Sequence, residues 1–130
     1  MKNSLPVSIA IVDDHVLVRQ AMGVRLNLMG YNVIIEAENG KAFLDKLAVC
    51  DKPDICLLDI NMPVMDGFET AVHLRKDWPD IKIIFFSMHN SPAFIKKAAQ
   101  LGAEGFISKD APFEELNEAL QGALKDNLKI

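Results

Sequence analysis

Ile55-Cys56-Leu57-Leu58-Asp59-Ile60-Asn61-Met62-Pro63 is an apolar run that ends abruptly in a carboxylate. Bounded by Pro53-Asp54 before it and Pro63 after it, a run of this length fits a strand of a parallel sheet, buried on both faces. Asp59 then stands at the carboxyl end of that strand. In open doubly wound sheets the crevice outside the carboxyl ends of the strands is where ligands bind, so an acid in this place points into the usual site. Asp59 capping the turn that follows is the alternative reading, because aspartate is common at strand ends and turns.

Outward from this strand the same pattern recurs. Ser8 to Val12 is apolar and stops at Asp13-Asp14. Between His15 and Met29, the residues Val18, Met22, Leu26 and Met29 fall at helical spacing as a core stripe, and Gly30 supplies a stop. Val33 to Ile35 forms a second short strand. Asn39-Gly40 fits either a hairpin turn or a helix start, and the lack of alternation afterwards favours a helix carrying Phe43, Leu44 and Leu47. Beyond Pro63, Met65-Asp66-Gly67 leads into a helix with Phe68, Ala71, Leu74 and Trp78 on one face, ended by Pro79. Ile83 to Ser87 is a fourth strand, and Ser91-Pro92 caps and opens a helix over Ala93 to Leu101. Phe106-Ile107 leads to Lys109, and Asp110-Ala111-Pro112 opens a last helix with Leu116, Ala119, Leu120 and Ala123 as its buried stripe.

Five strands, each followed by a helix, imply an α/β fold: a doubly wound five-stranded parallel sheet with helices on both faces. Right-handed crossovers in the order 2-1-3-4-5 set strands 1 and 3 side by side at the switch point. Asp13, Asp14 and Asp59 then meet. A length of 130 residues closes one core, so residues 1–130 are expected to be a single domain. A net charge of -4 offers no basic surface for DNA. No apolar run approaches the ~20 residues of a membrane span, and Cys50 and Cys56 suit a reducing, cytoplasmic setting.

Three converging carboxylates repel one another and call for a cation. Mg²⁺ suits an oxygen-only set, keeping several waters and commonly sharing a phosphoryl oxygen. His15, His73 and His89 are scattered along the sequence and offer no zinc-like cluster. Ser87 and Lys109, at the other strand ends, add a hydroxyl and an ammonium. Together these groups outline a site for phosphoryl transfer, which depends on positioning and charge neutralisation around a nucleophile.

The chain resembles a receiver domain of a bacterial two-component response regulator, over essentially its whole length. The resemblance rests on Ile11-Val12-Asp13-Asp14-His15, on the Asp59 strand with Met62-Pro63 and Asp66-Gly67, on Ser87, and on Gly102-Ala103-Glu104-Gly105-Phe106-Ile107-Ser108-Lys109. It implies the flavodoxin-like receiver fold, with Asp59 as phosphoacceptor. Mg²⁺ would be held by Asp14, Asp59 and the backbone carbonyl of Asn61, with Asp13 helping through water. Ser87 and Lys109 would hold phosphoryl oxygens, Phe106 would be the aromatic switch, and Asn61 and His89 would occupy positions that tune hydrolysis. A sensor histidine kinase is the implied phosphodonor, and the domain is a switch rather than an enzyme.

Asp13-Asp14-His15 and Lys109-Asp110-Ala111 are similar to the subgroup of receivers that precede a helix-turn-helix of the NarL and LuxR type. DNA would then be reached only through an output domain outside this chain. Many other receivers carry proline after the lysine, in a cis peptide. Asp110 departs from that pattern, and a trans bond is expected because a non-proline cis bond costs ~3 kcal/mol. A phosphatase of the haloacid dehalogenase type is the rival reading, but it places a second aspartate as general acid where Asn61 stands, and an amide cannot protonate a leaving group.

Leu17, Val24 and Leu28 form a second apolar side on the first helix. A helix apolar around so much of its circumference is deeply buried or engaged by a partner. The reading is a homodimer through the first and last helices. Two alternatives are that these side chains tuck beneath the last helix or that they meet an output domain.

Overall fold

The computed structural model describes residues 6–126. Five strands, β1 (Ser8–Val12), β2 (Asn32–Ala37), β3 (Ile55–Leu58), β4 (Lys82–Ser87) and β5 (Gly105–Ser108), alternate with five helices, α1 (Val16–Leu28), α2 (Gly40–Leu47), α3 (Gly67–Asp77), α4 (Pro92–Gln100) and α5 (Phe113–Asp126). All strand pairs are parallel, in the order β2-β1-β3-β4-β5. This is the doubly wound order expected from the sequence.

Alternation along the strands splits the core into two layers. Ala10, Val12, Cys56, Leu58, Ile83 and Phe85 face one side, where Phe43 and Leu47 of α2 and Phe68, Ala71 and Leu74 of α3 cover them. Ile9, Ile11, Ile55, Leu57, Ile84 and Phe86 face the other, beneath Leu26 of α1 and Leu116, Leu120 and Ala123 of α5. Phe43, Phe85, Leu26 and Leu58 are fully buried, and burying each such side chain contributes about 1.5–3 kcal/mol.

The helix starts follow their local chemistry. Asn39 caps α2, its side chain accepting from the Ala42 N–H, so the hairpin alternative at Asn39-Gly40 is not taken. Asp66 caps α3 through the Glu69 N–H and Ser91 caps α4 through the Phe94 N–H. These acceptors satisfy donors that a helix start leaves unpaired.

The first helix departs from expectation. Leu26 is buried, but Val18 is 36% exposed and Met29 is 41% exposed, so neither belongs to the core. At about 100° per residue, Val18 lies well round the helix from Leu26, while Met29 falls on the C-cap, beyond the last helical turn. Leu17, Val24 and Leu28 lie nearly opposite Leu26 and are 79%, 61% and 83% exposed, which excludes their tucking beneath α5.

Candidate functional site

Register brings the acids together. Val12 pairs with Leu58, and the Asp59 N–H donates to the Val12 carbonyl at 2.9 Å, so the residue after β1 and the residue after β3 emerge side by side. Asp13 and Asp59 are buried, and Asp14 is half-buried. The Lys109 N–H donates to the Ser87 carbonyl at 3.0 Å, which carries the ammonium across from β5. Lys109 Nζ stands 2.7 Å from Asp13 Oδ2 and 3.1 Å from Asp59 Oδ2. The Lys109–Asp110 bond is trans, as expected, since the described residues contain no cis peptide.

Asp59 has both oxygens engaged. Oδ1 accepts the Ile60 N–H at 2.8 Å, and Oδ2 accepts from Lys109. Burial pushes its carboxyl above the ordinary carboxylate range; Lys109 opposes this, and Asp13 adds to it by like-charge repulsion. Asp14 Oδ1 is buried without a hydrogen-bond partner. Such an atom carries a desolvation cost that a bound cation would remove. The donor set of Asp13, Asp14 and Asp59 therefore fits a divalent ion, and its side-chain oxygens lie within 4.8 Å of one another.

Asp14 is not the N-cap of α1. That place belongs to His15, whose side chain makes no capping bond. Its imidazole turns into the acid cluster instead, with Nδ1 3.1 Å from Asp13 Oδ1 and 3.4 Å from Asp14 Oδ1. Of the three histidines only His15 joins the acids, so among the described residues there is no histidine cluster, although one imidazole does stand beside the carboxylates. Its position directly after Asp14 was the available signal. Sequence reasoning also missed Arg19, whose guanidinium donates to the Asp13 backbone carbonyl at 2.6 Å and lies 3.5 Å from Glu36 Oε1. That contact anchors the acidic loop from one turn inside α1.

Asn61 and His89 line a cleft of ≈ 200 Å³ together with His15, Asp59, Met88 and Lys109, whereas Ser87 and Phe106 lie outside its lining. Ser87 is fully buried, and its hydroxyl accepts the His89 N–H at 3.0 Å. Among the described residues the Ser87 hydroxyl has no hydrogen bond to Asp59 or Lys109. Phe106 is half-buried at the edge of the core, its ring 6.2 Å from that of Phe85.

The loop between β3 and α3 is shaped by close backbone approach. The Gly67 N–H donates to the Ile60 carbonyl at 2.7 Å, and any methyl on Gly67 would collide with the Asp59 carbonyl. Val64 has φ 70°, and the Met65 N–H closes a three-residue turn on the Pro63 carbonyl.

Residues 9–121 match the response regulator receiver domain. The chain belongs to that family. The nitrate/nitrite response regulator protein NarL of Escherichia coli K12 is 36% identical over 124 residues, covering 95% of this chain and 57% of that protein. The solved two-component response regulator of the LuxR family from Aurantimonas sp. SI85-9A1 superimposes with TM-score 0.84 at 31% identity, covering 93% of this chain and 86% of the other. The CheX-CheY-BeF3-Mg complex from Borrelia burgdorferi gives TM-score 0.85 at 25% identity, over 92% of this chain and 90% of that one. The receiver thus spans under three fifths of the NarL protein it matches. No helix among the described residues is long and apolar enough to cross a membrane.

Proposed function

We propose that this receiver takes a phosphoryl group from the phosphohistidine of a sensor kinase onto a carboxylate oxygen of Asp59, the phosphorus–nitrogen bond breaking as the new phosphorus–oxygen bond forms. The observation that carries this is Asp59 at the switch point, buried, beside Asp13, and held by Lys109 at 3.1 Å. Asp14, Asp59 and the backbone carbonyl of Asn61 would hold Mg²⁺ directly, with Asp13 acting through water. Mg²⁺ would offset the negative charge of acceptor and phosphoryl group, which repel each other.

The Lys109 ammonium stands 3.1 Å from Asp59 Oδ2. It then neutralises the product as the carboxylate becomes an acyl phosphate. Asn61 and His89 line the same cleft and control where hydrolytic water stands. The Ser87 hydroxyl leaves its bond with the His89 N–H to donate to a phosphoryl oxygen, and the space released lets Phe106 move inward. This is a shift between two states, limited by the difference in free energy that phosphorylation supplies.

The domain thereby works as a switch that assists its own phosphorylation and dephosphorylation, in the cytoplasm. Residues 1–130 form the single receiver unit, and its output is transcription, through a DNA-binding domain outside this sequence. Likeness to the NarL protein and to the LuxR-family regulator supports that output. The exposed stripe of Leu17, Val24 and Leu28 supports a homodimer that uses α1 together with α5.

Beryllofluoride, a phosphoryl mimic, tests the switch with Mg²⁺ present. NMR shift changes should spread from Asp59 to Phe106 in the wild type and stop short of Phe106 in Ser87→Ala. Identical spread in both proteins would remove Ser87 from the pathway, and no change in either would remove the phosphoryl-switch reading itself.

A further inference from the structure

The imidazole of His15 has no role in the function proposed above, yet it sits against every acid of the site. Its Nδ1 lies 3.1 Å from Asp13 Oδ1, 3.4 Å from Asp14 Oδ1 and 4.0 Å from Asp59 Oδ2. Ligand atoms bound at about 2.1 Å to one octahedral ion stand ~3.0 Å apart when adjacent and ~4.2 Å apart when opposite. The separations to Asp14 Oδ1 and Asp59 Oδ2, the two carboxylates proposed as direct ligands, lie between these values, while the 3.1 Å contact with Asp13 Oδ1 is a hydrogen bond. Nδ1 is therefore near enough to both direct ligands to share one ion with them.

Two further observations argue against an incidental placement. His15 is the N-cap of α1, where a side chain ordinarily turns back to accept a helix N–H, and it makes no such bond. The His15 backbone N–H instead donates to Asp13 Oδ1 at 2.8 Å, which fixes the residue against the acid while the ring folds over the same oxygen. Asp14 Oδ1, the buried oxygen without a hydrogen-bond partner, is one of the atoms the ring faces.

We propose that His15 Nδ1 is a nitrogen ligand of the divalent-cation site, giving this receiver a preference for first-row transition ions over Mg²⁺. Mg²⁺ is a hard ion served by oxygen, whereas imidazole favours Co²⁺, Ni²⁺ and Zn²⁺ at a given site. The inference rests on the cation site being where the proposed function puts it. His15 is more than half exposed, so the ring has room to settle onto an ion without disturbing the core.

Calorimetric titration of the full chain with Co²⁺ and with Mg²⁺, at one fixed pH, tests this in the wild type, His15→Gln and Asp14→Ala. In His15→Gln the Co²⁺ affinity should fall on the order of ten-fold while the Mg²⁺ affinity changes less than about two-fold, and the visible Co²⁺ absorption should lose intensity or shift. Asp14→Ala should weaken both ions together. A purely structural His15 would move both ions equally, and that result, or no change in Co²⁺ affinity, overturns the proposal while leaving the cation site in place. If the wild type binds neither ion, the cation site itself fails and His15 falls with it.

Discussion

Lys109 Nζ reaches Asp59 Oδ2 at 3.1 Å from fifty residues further along the chain. The same ammonium is 2.7 Å from Asp13 Oδ2, so one cation serves two carboxylates that are almost wholly removed from water. Removing one partner of a buried pair leaves an uncompensated charge.

Lys109→Met should therefore destabilise the domain by about 3 kcal/mol in denaturant titrations run with EDTA. Mg²⁺ should restore part of that loss and raise the midpoint more in Lys109→Met than in the wild type. Equal stability of the two proteins in EDTA would show that the carboxylates do not depend on this ammonium.

The raised pKa of Asp59 gives a prediction with a definite sign. A carboxyl held above its unfolded value of 3.8 costs the fold stability once pH exceeds the folded pKa, and costs nothing below the unfolded one. Asp59→Asn should therefore melt a few degrees higher than the wild type at neutral pH without metal. The gain should shrink as pH falls through the folded pKa and vanish below about 3.8. Thermal melts across pH check this, and a lower melting temperature at neutral pH would mean that Lys109 outweighs burial.

The loop after Asp59 stores strain at one position and lacks room at another. Val64 has φ 70° at the centre of a three-residue turn, a strained place for a side chain branched at Cβ that costs about 1–3 kcal/mol and that glycine, lacking Cβ, occupies freely. Val64→Gly should stabilise by ~1 kcal/mol, part of the relief being offset by the chain entropy of glycine. Gly67→Ala, pressed against the Asp59 carbonyl, should destabilise by about 3 kcal/mol. Chemical denaturation of both variants separates the two effects.

The two thiols should differ sharply in reactivity. Cys50 is exposed, whereas Cys56 is buried in β3, and burial drives its thiol pKa far upward. A thiol reagent should modify Cys50 alone in the native protein and both in denaturant. Rapid native labelling of Cys56 would contradict the packing of the central strand.

Much of this architecture was legible because the strands announce themselves. Runs such as Ile55 to Leu58 and Ile83 to Phe86 are apolar on both faces, which only a sheet covered on both sides accommodates, and each ends in a polar residue at the site. Asp13, Asp14, Asp59 and Lys109 could be grouped in advance because strand order alone brings their chain positions together. The orientation of α1 is less legible: helical spacing identifies a stripe but does not say which stripe meets the sheet, and of Val18, Met22, Leu26 and Met29 only Leu26 is fully buried. His15 and Arg19 were hidden for a related reason. The aim of His15 is set by a loop of three residues and that of Arg19 by the first turns of α1 lying against that loop, and neither composition nor period carries that information.

Intact-mass spectrometry after incubation with a small phosphodonor measures phosphoryl uptake at Asp59 directly. With Mg²⁺ present the wild type should gain one phosphoryl increment, with EDTA it should gain none, and Asp59→Asn should stay unmodified under both conditions. Labelling of Asp59→Asn as readily as the wild type would contradict the assignment of the acceptor.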